Sequence, residues 1–298
     1  MKQNRRQFIQ KSGMIAAGTF ALPSMIVKGA NRVTNATALI KGDLKQFGIQ
    51  LYTLRNEMPK DPKGVMKKLS EYGYKTIESY EGDNGMFWGM TNKEFKAYMD
   101  ELNMKIVSSH ATIDDNWQRK AAEAAEIGMD YIICPWVGPQ KSIDGWKKVT
   151  DQFNAAGEIC KKEGIKFAYH NHEYTFKAFS GMIPHEYLMD NTDPELVKHE
   201  MDIYWVVSGQ ADPIDYLKKY SGRFTLCHVK DRLKDAPVDE MSASCVPGTG
   251  QIDFPKILKV AKDNGMEHFI VEQERYDGTT PFDAAKAGAK YLKDFKFA

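Results

Sequence analysis

The chain has 298 residues, 42% hydrophobic and 27% charged, an ordinary globular mixture that excludes a disordered, collagenous or coiled-coil protein. Its formal net charge of +1 hides an asymmetry: six basic residues and no acid fall within residues 1–38, leaving a body of 35 basic and 40 acidic residues with a net charge of −5. A body with that balance is excluded as a nucleic-acid-wrapping protein, whose affinity rests on neutralising phosphates.

The first element reads as an address. Arg5-Arg6-Gln7-Phe8-Ile9 is a twin-arginine pattern, followed by an apolar run from Met14 to Leu22 and by Pro23. Ala36-Thr37-Ala38 offers a small-x-small cleavage site, and Gly29-Ala30 a second one. The apolar run is too short to cross a bilayer, which takes about 20 residues, and no other stretch is long enough, so no stable membrane anchor is expected. The reading is a Tat-type export segment over residues 1–38, an exported, periplasmic protein, and a single domain over residues 39–298. Cys134, Cys160, Cys227 and Cys245 lack CxxC spacing and read as packing residues without a disulfide or zinc cluster.

Short runs rich in β-branched and aromatic residues then recur eight times: Phe47–Leu51, Thr76–Ser79, Lys105–Ser109, Tyr131–Cys134, Lys166–His170, Val197–Ile203, Phe224–Val229 and His268–Glu272. Helical patterns lie between them. Asp61-Pro62 caps Val65–Tyr72, and Gly73 closes it. Thr91 with Glu94 forms a capping box ahead of Phe95–Leu102. Ala121–Ile127 ends at Gly128, Val149–Lys162 at Gly164 and Phe254–Asp263 at Gly265, while Asp212-Pro213 and Pro281 open two more helices. Eight β–α alternations over about 260 residues predict an α/β protein, a single (β/α)8 TIM barrel. A doubly wound sheet is the alternative, but no glycine-rich fingerprint follows the first strand. The longest irregular stretch, Leu233–Ile252, reads as a rim loop over the site.

Four strands depart from the apolar pattern of a buried parallel sheet. They end in His170-Asn171-His172-Glu173, Glu200-Met201-Asp202, His228-Val229-Lys230-Asp231 and Glu272-Gln273-Glu274. Each carries polar residues at i and i+2, hence on one face, and the C-terminal strand ends form the active-site face of such a barrel. Glu78 and His110 stand at comparable depth on earlier strands. His170, Asp202, His228 and Glu272 would give two nitrogens and two carboxylates to one divalent ion, a set suited to Mn, Co, Zn or Fe. His199 has the opposite parity to Asp202 and is expected to face the helices.

The strings Tyr169-His170-Asn171-His172, Glu200-Met201-Asp202-Ile203-Tyr204-Trp205, His228-Val229-Lys230-Asp231, Gly248-Thr249-Gly250-Gln251-Ile252-Asp253-Phe254 and Val271-Glu272-Gln273 resemble the xylose-isomerase-like barrel superfamily, the sugar phosphate isomerase/epimerase group, in its exported members. The resemblance covers essentially the whole chain after the first segment. It implies a divalent metal held by residues ending strands 5, 6, 7 and 8, carried over here to Asp202, His228 and Glu272. The strand-5 ligand of the group is usually a glutamate, and here His170 stands in its place. The group's epimerases use two metal-bound glutamates as paired acid and base, of which this chain keeps only Glu272. Related sequences with the Tyr-His-Asn-His string also carry a glutamate where this one has Thr175. The superfamily's endonucleases need a multi-zinc cluster and a basic surface, which the net charge opposes.

The chemistry implied is proton abstraction α to a carbonyl on a small-molecule carbohydrate, with Glu272 or His170 as base and Lys230 or His110 donating to oxygens. Reprotonation makes the enzyme an isomerase or epimerase. Loss of a β-substituent, as from a 3-keto-glycoside, makes it a lyase. A non-catalytic sugar-binding barrel is the third reading. Glu78, His172, Glu200, Trp205 and Trp136 are the expected substrate contacts, and Tyr204 and Trp88 are further aromatic candidates for stacking on a sugar.

Overall fold

The computed structural model describes residue 44 and residues 46–298, and the export segment read over residues 1–38 lies outside the described residues. The strands are β1 (Gly48–Gln50), β2 (Thr76–Tyr80), β3 (Lys105–His110), β4 (Tyr131–Cys134), β5 (Lys166–His170), β6 (Val197–Asp202), β7 (Phe224–Val229), the short β8 (Asp231–Arg232) and β9 (Ser244–Cys245), and β10 (His268–Val271). All but β8 and β9 close into a parallel barrel in the order β1-β10-β7-β6-β5-β4-β3-β2. The eight expected runs are its eight strands. Helices α1 (Pro62–Tyr72), α2 (Asn92–Glu101), α3 (Trp117–Glu126), α4 (Ile143–Glu163), α5 (Pro184–Asn191), α6 (Ile203–Ser208), α7 (Pro213–Lys219), α8 (Phe254–Asp263) and α9 (Pro281–Lys293) connect them.

The start signals act as read. The Asp61 carboxylate accepts from Gly64 N at 2.8 Å, and Thr91 and Glu94 close a reciprocal capping box. Helices α5 and α6 are not among those expected from the sequence, although Pro184 opens the first and Asp202 caps the second. The residue before α5, Ile183, has no capping side chain. Helix α6 begins directly at the end of β6, so its apolar residues read as a continuation of the strand.

Strand parity separates two apolar regions. Tyr131, Ile133, Ala168, Leu226 and Ile270 form a cluster of their own within the barrel, while the other strand faces join the helices in the main core. His199 belongs to the outer face, as expected, with both ring nitrogens buried and unpartnered, and packs 5.4 Å from the His185 ring. All four cysteines are buried and free.

The stretch after β7 is more ordered than its sequence suggests. Strands β8 and β9 pair antiparallel, and the buried Asp231 carboxylate accepts from the backbone N–H groups of Arg232, Gly248, Gly250 and Ile252 at 2.8 to 3.2 Å. A Cβ on Gly250 would lie 2.2 Å from the Arg232 carbonyl oxygen, so only glycine lets the chain approach the carboxylate there. The Ser244 hydroxyl oxygen accepts from Glu274 N and Arg275 N, which ties the stretch to the segment after β10. None of its described residues lines the cavity above the strand ends, so it braces the wall instead of covering the site as expected.

Two tests follow from these contacts. Asp231→Ala strands four N–H groups, and chemical denaturation is expected to show a loss of about 2–4 kcal/mol. His185 is buried against Phe176 and Phe224, and burial, with Arg223 adding to it, pushes its imidazole down to about 3. The unfolded chain binds a proton near 6.5 and the folded one does not, so stability present above pH 6.5 is lost as pH falls towards 3. His185→Phe should flatten that slope by one proton's worth, measured as stability against pH.

Candidate active site

The alternation of the strands builds the site. Leu226, Ile270 and Ala168 point into the lumen, so His228, Glu272 and His170, two residues further along, point into it one layer higher. Two register shifts set the depth of the remaining acids. Ile77 pairs with Ile106 but Glu78 with Ser108, which leaves Val107 as an extra residue on β3. His199 pairs with Phe224 but Glu200 with Leu226, which leaves Thr225 extra on β7. Each bulge precedes a glutamate with no exposed surface.

These two glutamates form a lower polar layer. One Glu78 oxygen accepts from Gln50 Nε2 and His228 Nε2, each at 2.7 Å, and the other from Ser108 Oγ at 2.6 Å. His110 Nε2 lies 2.8 Å from Glu200 Oε2 and 3.2 Å from Glu78 Oε1. Burial opposes ionisation of Glu78, but the His110 and His228 rings hold its carboxyl well below the usual range. Burial likewise opposes a charge on His110, while Glu78 and Glu200 lift it to about 9. Because His228 donates Nε2–H to Glu78, its Nδ1 faces the layer above.

That upper layer is a candidate metal centre. His170, Asp202, His228 and Glu272 each offer an atom within 4.8 Å of all the others. His228 Nδ1 lies 3.2 Å from His170 Nε2, 3.2 Å from Glu272 Oε2 and 3.5 Å from Asp202 Oδ2, and His170 Nε2 lies 3.4 Å from Asp202 Oδ2. Ligands bonded tetrahedrally at 2.0–2.1 Å stand about 3.4 Å apart, so these spacings fit a divalent ion. The buried Asp202 Oδ2 accepts no hydrogen bond, which fits a coordinating oxygen. Its orientation is fixed: Oδ1 caps α6 by accepting from Trp205 N at 3.1 Å, and the Asn171 side chain bonds both the N–H and the C=O of Asp202 at 3.1 Å. His110, His170, Glu200 and His228 make a second cluster of ligand type, in which Glu200 Oε2 pairs with His110 while its buried Oε1 has no hydrogen-bond partner. Glu78, in turn, is the acceptor that orients a ligating imidazole.

Lys230 stands behind this centre. Its ammonium is buried, 3.1 Å from Glu272 Oε2 and 3.6 Å from Asp202 Oδ2, bonded to Glu274 and flanked by the Tyr204 and Trp205 rings. Burial opposes its charge, yet Glu272, Asp202 and Glu274 keep it well above its ordinary value. Burial opposes ionisation of Glu272 too, and Lys230 and His228 keep it ionised well below the usual carboxylate range.

A cavity of about 310 Å³ opens above the cluster. His170, Glu272, His110 and Glu274 form its polar base, with Glu81 and Thr112 at the side and Tyr52, Tyr80, Trp136, His172 and Trp205 as aromatic walls. Of the expected substrate contacts, His172, Trp205 and Trp136 therefore line the cavity. Glu78 and Glu200 do not: they are buried in the layer below and line no part of the cavity. Lys230, expected to donate to substrate oxygens, is engaged by three carboxylates and lines no part of the cavity. Trp88 is buried beside Tyr80 and bonds Ser79 Oγ, and Tyr204 spends its hydroxyl on the backbone of Met241 and Ala243, so neither stacks on a ligand. Thr175 is buried and donates to the His172 carbonyl. Sequence reading missed the positioning roles of Gln50 and Asn171, whose one signal was a polar side chain beside a strand end. Glu78→Gln is expected to weaken divalent-metal affinity by about 10- to 100-fold with the fold retained, checked by chelator competition and circular dichroism.

A family model described as "Xylose isomerase-like TIM barrel" matches residues 66–295. The chain is 32% identical over 163 residues to an inosose dehydratase of Clostridium perfringens, a match covering 50% of this chain and 54% of that relative, so it spans about half the relative's length. It is 31% identical over 221 residues to the inosose dehydratase of Clostridium beijerinckii, covering 68% of this chain and 70% of that one. Among solved structures it is similar to a sugar phosphate isomerase/epimerase from Parabacteroides distasonis, with 30% identity and a TM-score of 0.72, over 87% of this chain and 97% of that chain. With a closed eight-stranded parallel barrel and a family match over most of its length, the chain belongs to the xylose isomerase-like TIM barrel family.

Proposed function

We propose that the protein is a divalent-metal-dependent carbohydrate lyase that removes the proton α to the ketone of an unphosphorylated keto-sugar and expels a substituent from the β carbon. One observation carries the choice of elimination over epimerisation: the strand-5 member of the ligand cluster is an imidazole. A ligating glutamate keeps a second oxygen free to act as a base, whereas His170 turns its Nε2 to the cluster and its Nδ1 is buried away from any partner. Glu272 is then the single ligand carboxylate that borders the cavity. A base on one face can start an elimination but cannot return a proton from the opposite face. The dehydratase names of two relatives point to the same class of reaction.

A divalent ion held by the four ligands would polarise the ketone oxygen as a Lewis acid. Glu272 takes the proton from the α carbon. The C–H electron pair becomes the new C–C double bond, and the bond from the β carbon to the leaving oxygen breaks. Lys230 beside Glu272 holds the base ionised before the step. His110 donates Nε2–H to Glu200, which leaves its Nδ1 to protonate the leaving oxygen. His172 stays neutral, since burial and the neighbouring His170 push its imidazole well down. Among the described lining residues there is no lysine or arginine, so nothing in the wall suits a phosphate dianion. The twin-arginine pattern supports an exported enzyme that meets unphosphorylated sugars.

The test is incubation of metal-loaded protein in deuterated water with a 3-keto-glucoside and, separately, with free ketoses. Release of the aglycone without deuterium entering the ketoses is the expected result, and ketose exchange without release would replace elimination by isomerisation. Glu272→Gln should lower turnover by about 10²- to 10⁴-fold. His110→Gln should slow alkoxide leaving groups more than phenoxide ones, read as the rate ratio of methyl and nitrophenyl 3-keto-glucosides.

A further inference from the structure

A second cavity of about 410 Å³ lies between the loop after β3 and α4, with Gln140, Lys148 and Gln152 on its wall, and it shares Thr112 and Trp136 with the first. Trp136 is thus the partition between the two. Of the five tryptophans it alone is exposed, at 53%. Its orientation is nonetheless set, because the His172 and Tyr174 rings meet it edge-on at 4.6 and 4.8 Å. An oriented, exposed indole that shares a cavity wall with Gln140, Lys148 and Gln152 has the two parts that a pyranose needs. The indole takes its C–H face, and the polar rim takes its hydroxyls. The Gln140 amide nitrogen is spent on the Val137 and Gly138 carbonyls, which fixes its oxygen in place, and Lys148 makes no ion pair among the described residues.

We propose that this second cavity is a carbohydrate subsite for the leaving group, so that the substrate is an oxidised disaccharide and not a free monosaccharide. The inference rests on the lyase reading above. The oxidised ring sits over Glu272 and His170, and the glycosidic oxygen lies towards Trp136. The second ring occupies the outer cavity and departs as a free sugar. The balance is that of a simple elimination: Glu272 gains the proton from the α carbon, the C–O bond to the second ring breaks, and that oxygen gains the proton from His110.

The test is calorimetric titration of metal-loaded protein with methyl glucoside, cellobiose and maltose, which lack the ketone and do not turn over. One of the disaccharides is expected to bind at least about tenfold more tightly than methyl glucoside. Lys148→Ala/Gln152→Ala changes only exposed side chains of the outer cavity, and should bring that disaccharide within about threefold of methyl glucoside while the latter's affinity stays unchanged. Trp136→Ala should remove the same preference. Equal affinity for all three sugars in the wild-type protein, or a preference that survives both variants, would overturn the subsite and leave the lyase reading standing. Release of aglycone from the simple methyl and nitrophenyl 3-keto-glucosides tests that reading separately. No binding of any of these sugars to the wild-type protein would likewise overturn the subsite, and the lyase reading would stand or fall on that release alone.

Discussion

Buried negative charge is the constraint on which this barrel depends. Glu78, Glu200, Asp202 and Glu272 all turn into one lumen, and the first three have no exposed surface. Ionised carboxylates removed from water are costly unless cations and N–H donors meet them. The structure meets them in layers. Gln50, Ser108 and His228 supply donors to Glu78, and His110 lies between Glu78 and Glu200. Lys230 is drawn into the upper layer between Glu272, Glu274 and Asp202. Asp202 Oδ2 and Glu200 Oε1 remain without a hydrogen-bond partner, so the candidate cation site is part of one electrostatic system and not an isolated motif.

The same economy governs how the ligands are aimed. The two oxygens of Asp202 are divided: one caps the helix that starts immediately after β6, and the other faces the two imidazoles. The helix start and the ligand geometry therefore depend on each other, and Asn171 fixes the backbone between them. Asp231, one residue beyond Lys230, does the equivalent work outside the lumen, where four N–H groups converge on it and hold the long stretch before α8 against the barrel wall.

This also explains what was legible in the sequence. Strand parity is a local property, so the inward pairs His228 and Lys230 or Glu272 and Glu274 could be read from spacing alone, and with them the barrel and the cluster of candidate ligands. Depth along the lumen is not local. From sequence, Glu78 reads at the depth of His110, and Glu200 reads as a residue of the mouth although it stands two positions before Asp202 on the same face. The register pairs Glu78 with Ser108 and Glu200 with Leu226, two positions below His110 and His228, and the bulges at Val107 and Thr225 that set this register have no composition signal. Lys230 has the correct face but the wrong partners for a substrate donor, since the surrounding acids come from β6 and from the segment after β10. Trp88 failed as a stacking residue for the same reason: its burial against Tyr80 is decided by the loop after β2 and not by its own sequence.

The imidazole at the end of β5 then has a consequence for charge as well as for base chemistry. With a divalent ion bound, His170 and His228 would ligate as neutral imidazoles, and with Asp202 and Glu272 they would bring a net −2 that the ion cancels. A third carboxylate in place of His170 would leave the centre net negative, and the excess would fall on the cavity side, next to Glu272. The cation pair available to offset it is already committed, Lys230 to Glu274 and Glu272, and His110 to Glu200 and Glu78. A neutral centre under an aromatic cavity without lysine or arginine favours an uncharged ligand, because a charged one would be desolvated without a partner. The substitution at one strand end thus bears on both halves of the proposal: it leaves one base to act on the α carbon, and it matches the site to a neutral sugar whose leaving group can lie along Trp136.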